Sequence, residues 1–189
     1  MLGELIKQRR ENQINIKSLK DKLSKKNSNF RVGRGALGSQ LSQVISLIDA
    51  EVNIPVFKVS MGSFDTHIDQ YRKHRDLLRE LSEGISDLVK NLKRIGIWND
   101  TIVMTYSEFG RRANENGSRG TDHGMAAPHF LLGGSVSGGI FGGNLDFNKL
   151  NNNNLTFQVD YRSVYNYILS SHFNLTNNPF SKFKSDLIS

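Results

Sequence analysis

The sequence predicts an α/β fold built around a parallel sheet. Three features of the chain lead there. Pro55 to Val59 is a short, unbroken apolar run, and Thr101 to Tyr106 is a second. Between them lies the longest periodic segment, residues 70–95. Two continuously apolar runs joined by one long amphipathic helix form the pattern of a right-handed crossover. Strands buried on both faces have no need to alternate.

Taken in order, residues 1–34 are polar and basic. They hold ten Lys and Arg against three acidic residues, the whole of the chain's formal charge of +7. Residues 35–189 hold 15 basic and 15 acidic residues. Leu2, Leu5, Ile6, Ile14, Ile16, Leu19 and Leu23 show no regular period, and Ser24 to Asn29 reads as a loop. The segment is expected to be a solvated tail or linker. Its charges are not interleaved with a run of aromatics, so nucleic acid is not the expected partner. A uniformly basic coat protein is excluded.

Residues 36–50 predict a helix, with Leu37, Leu41, Val44, Ile45 and Ile48 three and four positions apart. Pro55–Val59 predicts a buried strand. In residues 70–95, Leu77, Leu78, Leu81, Ile85, Leu88, Val89, Leu92 and Ile95 make one apolar face, and Gly96 suits the C-cap. Asn99–Asp100 turns the chain into the second strand, Thr101–Tyr106. Residues 110–124 form a loop rich in Gly, Asn and Arg. Pro128–Leu132 predicts a third strand, followed by a glycine-punctuated loop to Gly143. Asn151–Asn154 predicts a turn and Leu155–Val159 a short edge strand. Asp160 is placed to cap a helix carrying Val164, Tyr165, Ile168 and Leu169. Beyond Asn174 the chain reads as loop, with Phe180 and Phe183 available to pack back.

The 189 residues suit one domain, with a core supplied in part by 11 Phe, 5 Tyr and 1 Trp. Cysteine is absent, which excludes disulfides, thiol nucleophiles and thiolate metal sites. No apolar run approaches the roughly 20 residues of a transmembrane helix. Met1–Arg10 is not followed by an apolar stretch, so no secretory signal is expected and the chain as given reads as cytoplasmic. The glycines after Leu132 lack the strand–turn–helix order of a nucleotide loop.

Parallel sheets place their sites at the carboxyl ends of strands. Asp65 and His67 follow the first apolar run, and Ser107 and Glu108 follow the second. Asp122 and His123 lie between Gly120 and Gly124. Asp65, His67, Glu108, Asp122 and His123 are oxygen and nitrogen donors of the kinds that hold zinc, manganese, magnesium or calcium. Bland roles stand beside that one. Asp65 suits a turn or a helix cap, His67 an exposed loop, and Asp122–His123 a structural turn. Glu108 has a stronger claim, because a carboxylate at a strand end is costly unless paired or coordinated. Arg111 and Arg112 suit either an oxyanion or an internal salt bridge to Asp122 or Glu108. His74 and His172 read as helix-surface and helix-end residues, and His129 is ambiguous.

Ser63–Phe64–Asp65–Thr66–His67, Ser107–Glu108–Phe109–Gly110–Arg111 and Gly120–Thr121–Asp122–His123–Gly124 form an ordered pattern. Together with Gly138–Gly139, Gly142 and Asp160–Tyr161–Arg162–Ser163–Val164–Tyr165, it resembles the C-terminal half of a bacterial family. That family is domain of unknown function one-five-zero-one, in the alkaline phosphatase and sulfatase-like superfamily. The resemblance covers residues 31–185. It implies a partial three-layer α/β/α sandwich with a mostly parallel sheet, spanning residues 35–189. It also implies divalent metals at strand ends and hydrolysis of a phosphate or sulfate ester. By position, Asp65, Glu108 and His123 resemble metal ligands. Asp122 and His67 stand beside them as ligands or supports, and Arg111 is placed to assist catalysis. Two departures matter. Superfamily hydrolases follow the strand-end acid with His, whereas Phe109 follows Glu108. Full-length members resemble chains about twice as long, with the nucleophile in an N-terminal half and a twin-arginine export signal; Arg9–Arg10 lacks the apolar stretch of such a signal. The expectation is a chain with weak or no catalysis alone. It would be completed by an N-terminal half or a second copy, or would act as a non-catalytic fragment with a structural or partner-dependent role.

Overall fold

The computed structural model describes residues 4, 7, 16–24, 30–143 and 146–183. Arg9, Arg10 and residues 25–29 of the expected loop lie outside the described residues, as do Leu2, Leu5, Ile6 and Ile14. Residues 16–24 are helical. The chain divides into two units. The first is Met1–Phe64 with Asp76–Gly96, and the second is Asp65–Arg75 with Ile97–Ser189.

The first unit rests on helix α1, Gly35–Asp49, and on the part of helix α2, Gln70–Ile95, from Asp76 onward. Leu37, Leu41 and Ile45 recur every fourth residue on α1, and Leu88 and Leu92 do so on α2, so each set lines one face. All five are buried, with Val32 and Ala50, and Ile45 is fully enclosed. Gly84 lies in the buried face of α2. A Cβ there would stand 3.2 Å from Leu37 Cδ2 and from Leu41 Cδ1. Glycine inside a helix costs about 1 kcal/mol against alanine; here it makes room for the leucines of α1. Asp87 Oδ2 accepts the Gly33 N–H at 3.1 Å, and Ser42 Oγ accepts the Val32 N–H at 3.1 Å. Gly96 ends α2 as expected, with φ at +89° and its N–H donating to the Leu92 and Lys93 carbonyls. Lys93 and Arg94 occupy the last turn, where cations suit the helix dipole.

Pro55–Val59 is not the buried strand its apolar run suggests. Among the described residues no strand pairs with it, and Val56 is 67% exposed. At its end the backbone is satisfied by a side chain instead. Gln40 Nε2 donates to the Ser60 carbonyl at 2.8 Å, and Gln40 Oε1 accepts the Ser60 N–H at 2.9 Å. One primary amide thus imitates a neighbouring strand.

In the second unit, the 3₁₀ turn Trp98–Asp100 leads into β1, Ile102–Met104, and β1 pairs with β4, Leu131–Gly133. The register sets Ile102 opposite Gly133 and Met104 opposite Leu131, antiparallel. Strands β2, Gly110–Arg111, and β3, His123–Gly124, form a second antiparallel pair inside the expected loop. The architecture is therefore mixed helix and small strands, and both described sheets are antiparallel. The parallel pair expected across α2 is not among them, because the first strand of that crossover does not form. The edge strand expected at Leu155–Val159 does not form either; Asn151 and Asn154 bridge instead.

Helix α3, Tyr161–Tyr167, runs into a π-helical turn, Ile168–His172. Asp160 caps it as predicted, accepting the Arg162 N–H at 2.9 Å. Phe180 and Phe183 do pack back. Phe180 lies 5.4 Å from the Tyr165 ring, and the Arg162 guanidinium sits 4.0 Å from the Phe183 ring. Buried Asn178 ties the segment down through Asn166, Leu175 and Phe180. Every buried hydrophobic side chain among the described residues belongs to the first unit. The buried polar residues Thr66, Ser163 and Asn178 belong to the second. Among the described residues no helix is long and apolar enough to cross a membrane.

Candidate metal centre

The site belongs wholly to the second unit and grows out of the β2–β3 ribbon. Arg111 and His123 are directly opposed in its register. Side chains two positions apart share a face, so Phe109 is the diagonal neighbour of His123 on the same side as Arg111. The rings of Phe109 and His123 stack accordingly, 3.9 Å apart and 10° from parallel.

Asp65 meets this face. Its Oδ1 lies 2.8 Å from His123 Nε2, 3.0 Å from His67 Nε2 and 3.4 Å from Arg111 Nη2. Three cationic or donor groups thus converge on one carboxylate oxygen. The hydrogen bond from His123 is the main cause that holds the Asp65 carboxyl below its ordinary value. The charges of His67, His123 and Arg111 add to it, against some desolvation. The second nitrogen of His67, Nδ1, stands 3.5 Å from Asp122 Oδ1. Arg111 is anchored through Nη1, which donates to the Thr121 carbonyl. Thr121 Oγ1 in turn hydrogen-bonds Gln70 Oε1 at 3.1 Å.

Residues 116–120 hold His67 in place. Asn116 Oδ1 accepts the Ser118 and Gly120 N–H groups, and its Nδ2 donates to the His67 carbonyl at 3.1 Å and to Asp122 Oδ1 at 3.3 Å. The Asp69 and Gln70 N–H groups at the start of α2 donate to the Ser118 and Arg119 carbonyls. Gly120 permits the close approach, since a Cβ there would lie 2.2 Å from the His67 carbonyl carbon.

Asp65, His67 and His123 each offer one donor atom, all within 4.8 Å of one another. Donors around one tetrahedral zinc stand about 3.4 Å apart. The two Asp65–His distances, 2.8 and 3.0 Å, need only a small opening to reach that. The set is accessible, with the side chains of Asp65, His67 and His123 exposed by 59, 41 and 48%. Arg111 lies against it and Asp122 one contact further out. Glu108 is exposed and outside the group. His74 is half-buried; desolvation, then repulsion from Arg111, pushes its ring below the ordinary histidine value. Phe109, Asn116 and Gln70 shape the site without being donor types that a sequence search singles out. Asn116 had one sequence signal, the Asn–Gly pair inside a polar loop.

A family model described as a protein of unknown function, DUF1501, matches residues 26–174. The chain belongs to this family. No curated protein and no solved structure matches the chain. The DUF1501 span takes in α1, α2, both strand pairs and α3, and so every residue of the candidate centre.

Proposed function

We propose that this DUF1501 chain holds a divalent metal ion through Asp65, His67 and His123, and that the ion serves phosphate or sulfate ester chemistry of the alkaline phosphatase and sulfatase-like kind. The observation that carries the reading is the convergence of His123, His67 and Arg111 on Asp65 Oδ1. Two imidazoles and one carboxylate suit zinc or manganese better than magnesium or calcium, which prefer all-oxygen shells. Three protein donors leave a position open for substrate. When bound, the ion polarises an ester oxygen as a Lewis acid.

The chain's own residues prepare that position. The Asp122 carboxylate faces Nδ1 of His67 and favours the tautomer that leaves Nε2 free as a donor. Arg111, fixed at one end by Thr121, directs its other guanidinium nitrogen toward Asp65 and supplies positive charge where an oxyanion would sit. In the same reading β1 and β4 form the margin of a larger, mostly parallel α/β/α sheet, completed by an N-terminal half or a second copy. Exposed Tyr106 and Phe130 beside these strands support it.

The second reading is a non-catalytic fragment with a partner-dependent role. The exposure of Glu108, outside the metal group, favours it. Calorimetric titration with zinc tests the metal: one ion should bind, and Asp65→Ala and His123→Ala should each abolish it. Aryl phosphate and aryl sulfate assays with added zinc or manganese test the chemistry. Weak or absent turnover by the chain alone is expected. Robust turnover lost in Glu108→Ala would overturn the incomplete-site reading.

A further inference from the structure

We infer that Phe109 is a positioning residue of the metal centre: its ring fixes the plane of the His123 imidazole so that Nε2 points at Asp65 and at the ion. The inference rests on the metal reading above. It starts from an asymmetry between the two histidines. A metal-binding histidine is normally held in orientation by a hydrogen bond at its second ring nitrogen. His67 has such a neighbour in Asp122. Among the described residues the structure gives His123 none, only its contact to Asp65 through Nε2 and its ring contacts. A flat ring at van der Waals distance takes the place of the missing hydrogen bond. At 3.9 Å and 10° the Phe109 face leaves the imidazole no room to turn about its Cβ–Cγ bond without collision.

Phe109 is itself held firmly. Ser107 Oγ donates to the Phe109 carbonyl at 2.8 Å, and the Phe109 N–H reaches back to Ser107 Oγ at 3.4 Å. The next residue, Gly110, is buried so close to Ala126 that a Cβ would stand 1.9 Å from the Ala126 carbonyl oxygen. The Arg111 guanidinium lies 5.0 Å from the same ring centroid. One aromatic side chain thus borders both the imidazole donor and the candidate oxyanion-binding cation.

The test is cobalt(II) titration of the full chain, followed by visible absorbance and calorimetry. It compares the native protein with Phe109→Ala, Phe109→Leu, Phe109→Tyr and His123→Ala. Native protein should bind one cobalt, and His123→Ala should lose it. Phe109→Ala should weaken binding roughly tenfold, as loss of an outer support of a ligand does. Phe109→Tyr, which keeps the flat face, should restore native affinity. Phe109→Leu, which restores bulk without a flat face, should stay near the Ala variant. Proton NMR supplies a metal-free readout: the His123 ring protons should move downfield when the shielding Phe109 ring is removed. Native affinity in Phe109→Ala, full restoration by Leu, or no shift of the ring protons would overturn the inference while leaving the metal reading standing. Should native protein bind no cobalt, or His123→Ala bind as well as native, the metal reading itself falls and the inference with it.

Discussion

Asp65 Oδ1 stands 2.8 Å from His123 Nε2, across 58 positions of chain. Exposed ion pairs are individually weak, so this contact does not hold the unit together by itself. Its significance is chemical, because the same oxygen also meets His67 and Arg111. Asp65→Asn keeps the shape and removes the charge. It should lower zinc affinity about 100-fold or more, read by calorimetric titration, while leaving the far-ultraviolet circular dichroism of the helices unchanged.

Asp122 acts at one remove, through His67 Nδ1. Asp122→Asn should weaken zinc binding by about 10- to 100-fold without changing the stoichiometry. Loss of the whole binding event would show instead that Asp122 is a direct ligand.

Asp65 and His74 both contribute to the response to acid, alongside His129, Asp87 and Asp160, whose folded values are lowered in the same direction. The Asp65 carboxyl titrates below its ordinary value of 3.8 when folded. Its contribution is therefore complete above that value and is lost as pH falls through the lower, folded one. His74 is held below 6.5 by desolvation and by Arg111. The unfolded chain thus takes up a proton first, and stability falls as pH drops below 6.5 toward the folded value. Urea midpoints at pH 7 and pH 5 should differ in that direction. His74→Gln should remove its share of the slope that begins at 6.5, leaving the share of His129, which burial holds below the same value.

Gly120→Ala places a methyl group against the His67 carbonyl, where the gap is 2.2 Å. Overpacking of this kind costs about 1–3 kcal/mol. Hydrogen exchange at residues 67–70 should quicken, and zinc affinity should fall with it. Gly117→Ala is the matched control, since nothing lies within 4 Å of its Cβ position.

Leu92 is 1% exposed in the core of the first unit. Leu92→Ala should cost about 2–5 kcal/mol, seen in chemical denaturation, with little effect on zinc affinity of the protein that remains folded.

Helices α1 and α2 were legible because a helix declares its buried face in its own period. The Gly96 cap and the Asp160 cap were legible because both depend on neighbours within a few residues. Strand pairing has no such local record. Pro55–Val59 looks like a strand by composition, yet the backbone groups of Ser60, just after it, are taken by the Gln40 amide. Thr101–Tyr106 does contain a strand, but nothing local says that its partner is Leu131–Gly133 or that the pair runs antiparallel. The site divides along the same line. Asp65, His67, Asp122, His123 and Arg111 are donor and charge types; Asp65 and His67 draw notice by following an apolar run, and Asp122 and His123 by lying between two glycines. Glu108 shares those credentials but points elsewhere. Phe109 and Asn116 act through ring geometry and backbone hydrogen bonds, which appear only once β2 and β3 are paired.

Among the described residues, the confinement of fully buried hydrophobic side chains to one unit has a calorimetric consequence. Heat capacity of unfolding comes chiefly from apolar surface newly exposed to water. The enclosed leucines of α1 and α2 therefore give the helical unit a large share of that signal, to which half-buried Ile102, Val103, Leu131 and Leu132 of the second unit add. A scanning trace follows the leucines of α1 and α2. The carboxylate and imidazoles of the centre are half exposed, so salt screens their contacts while leaving the buried leucines untouched.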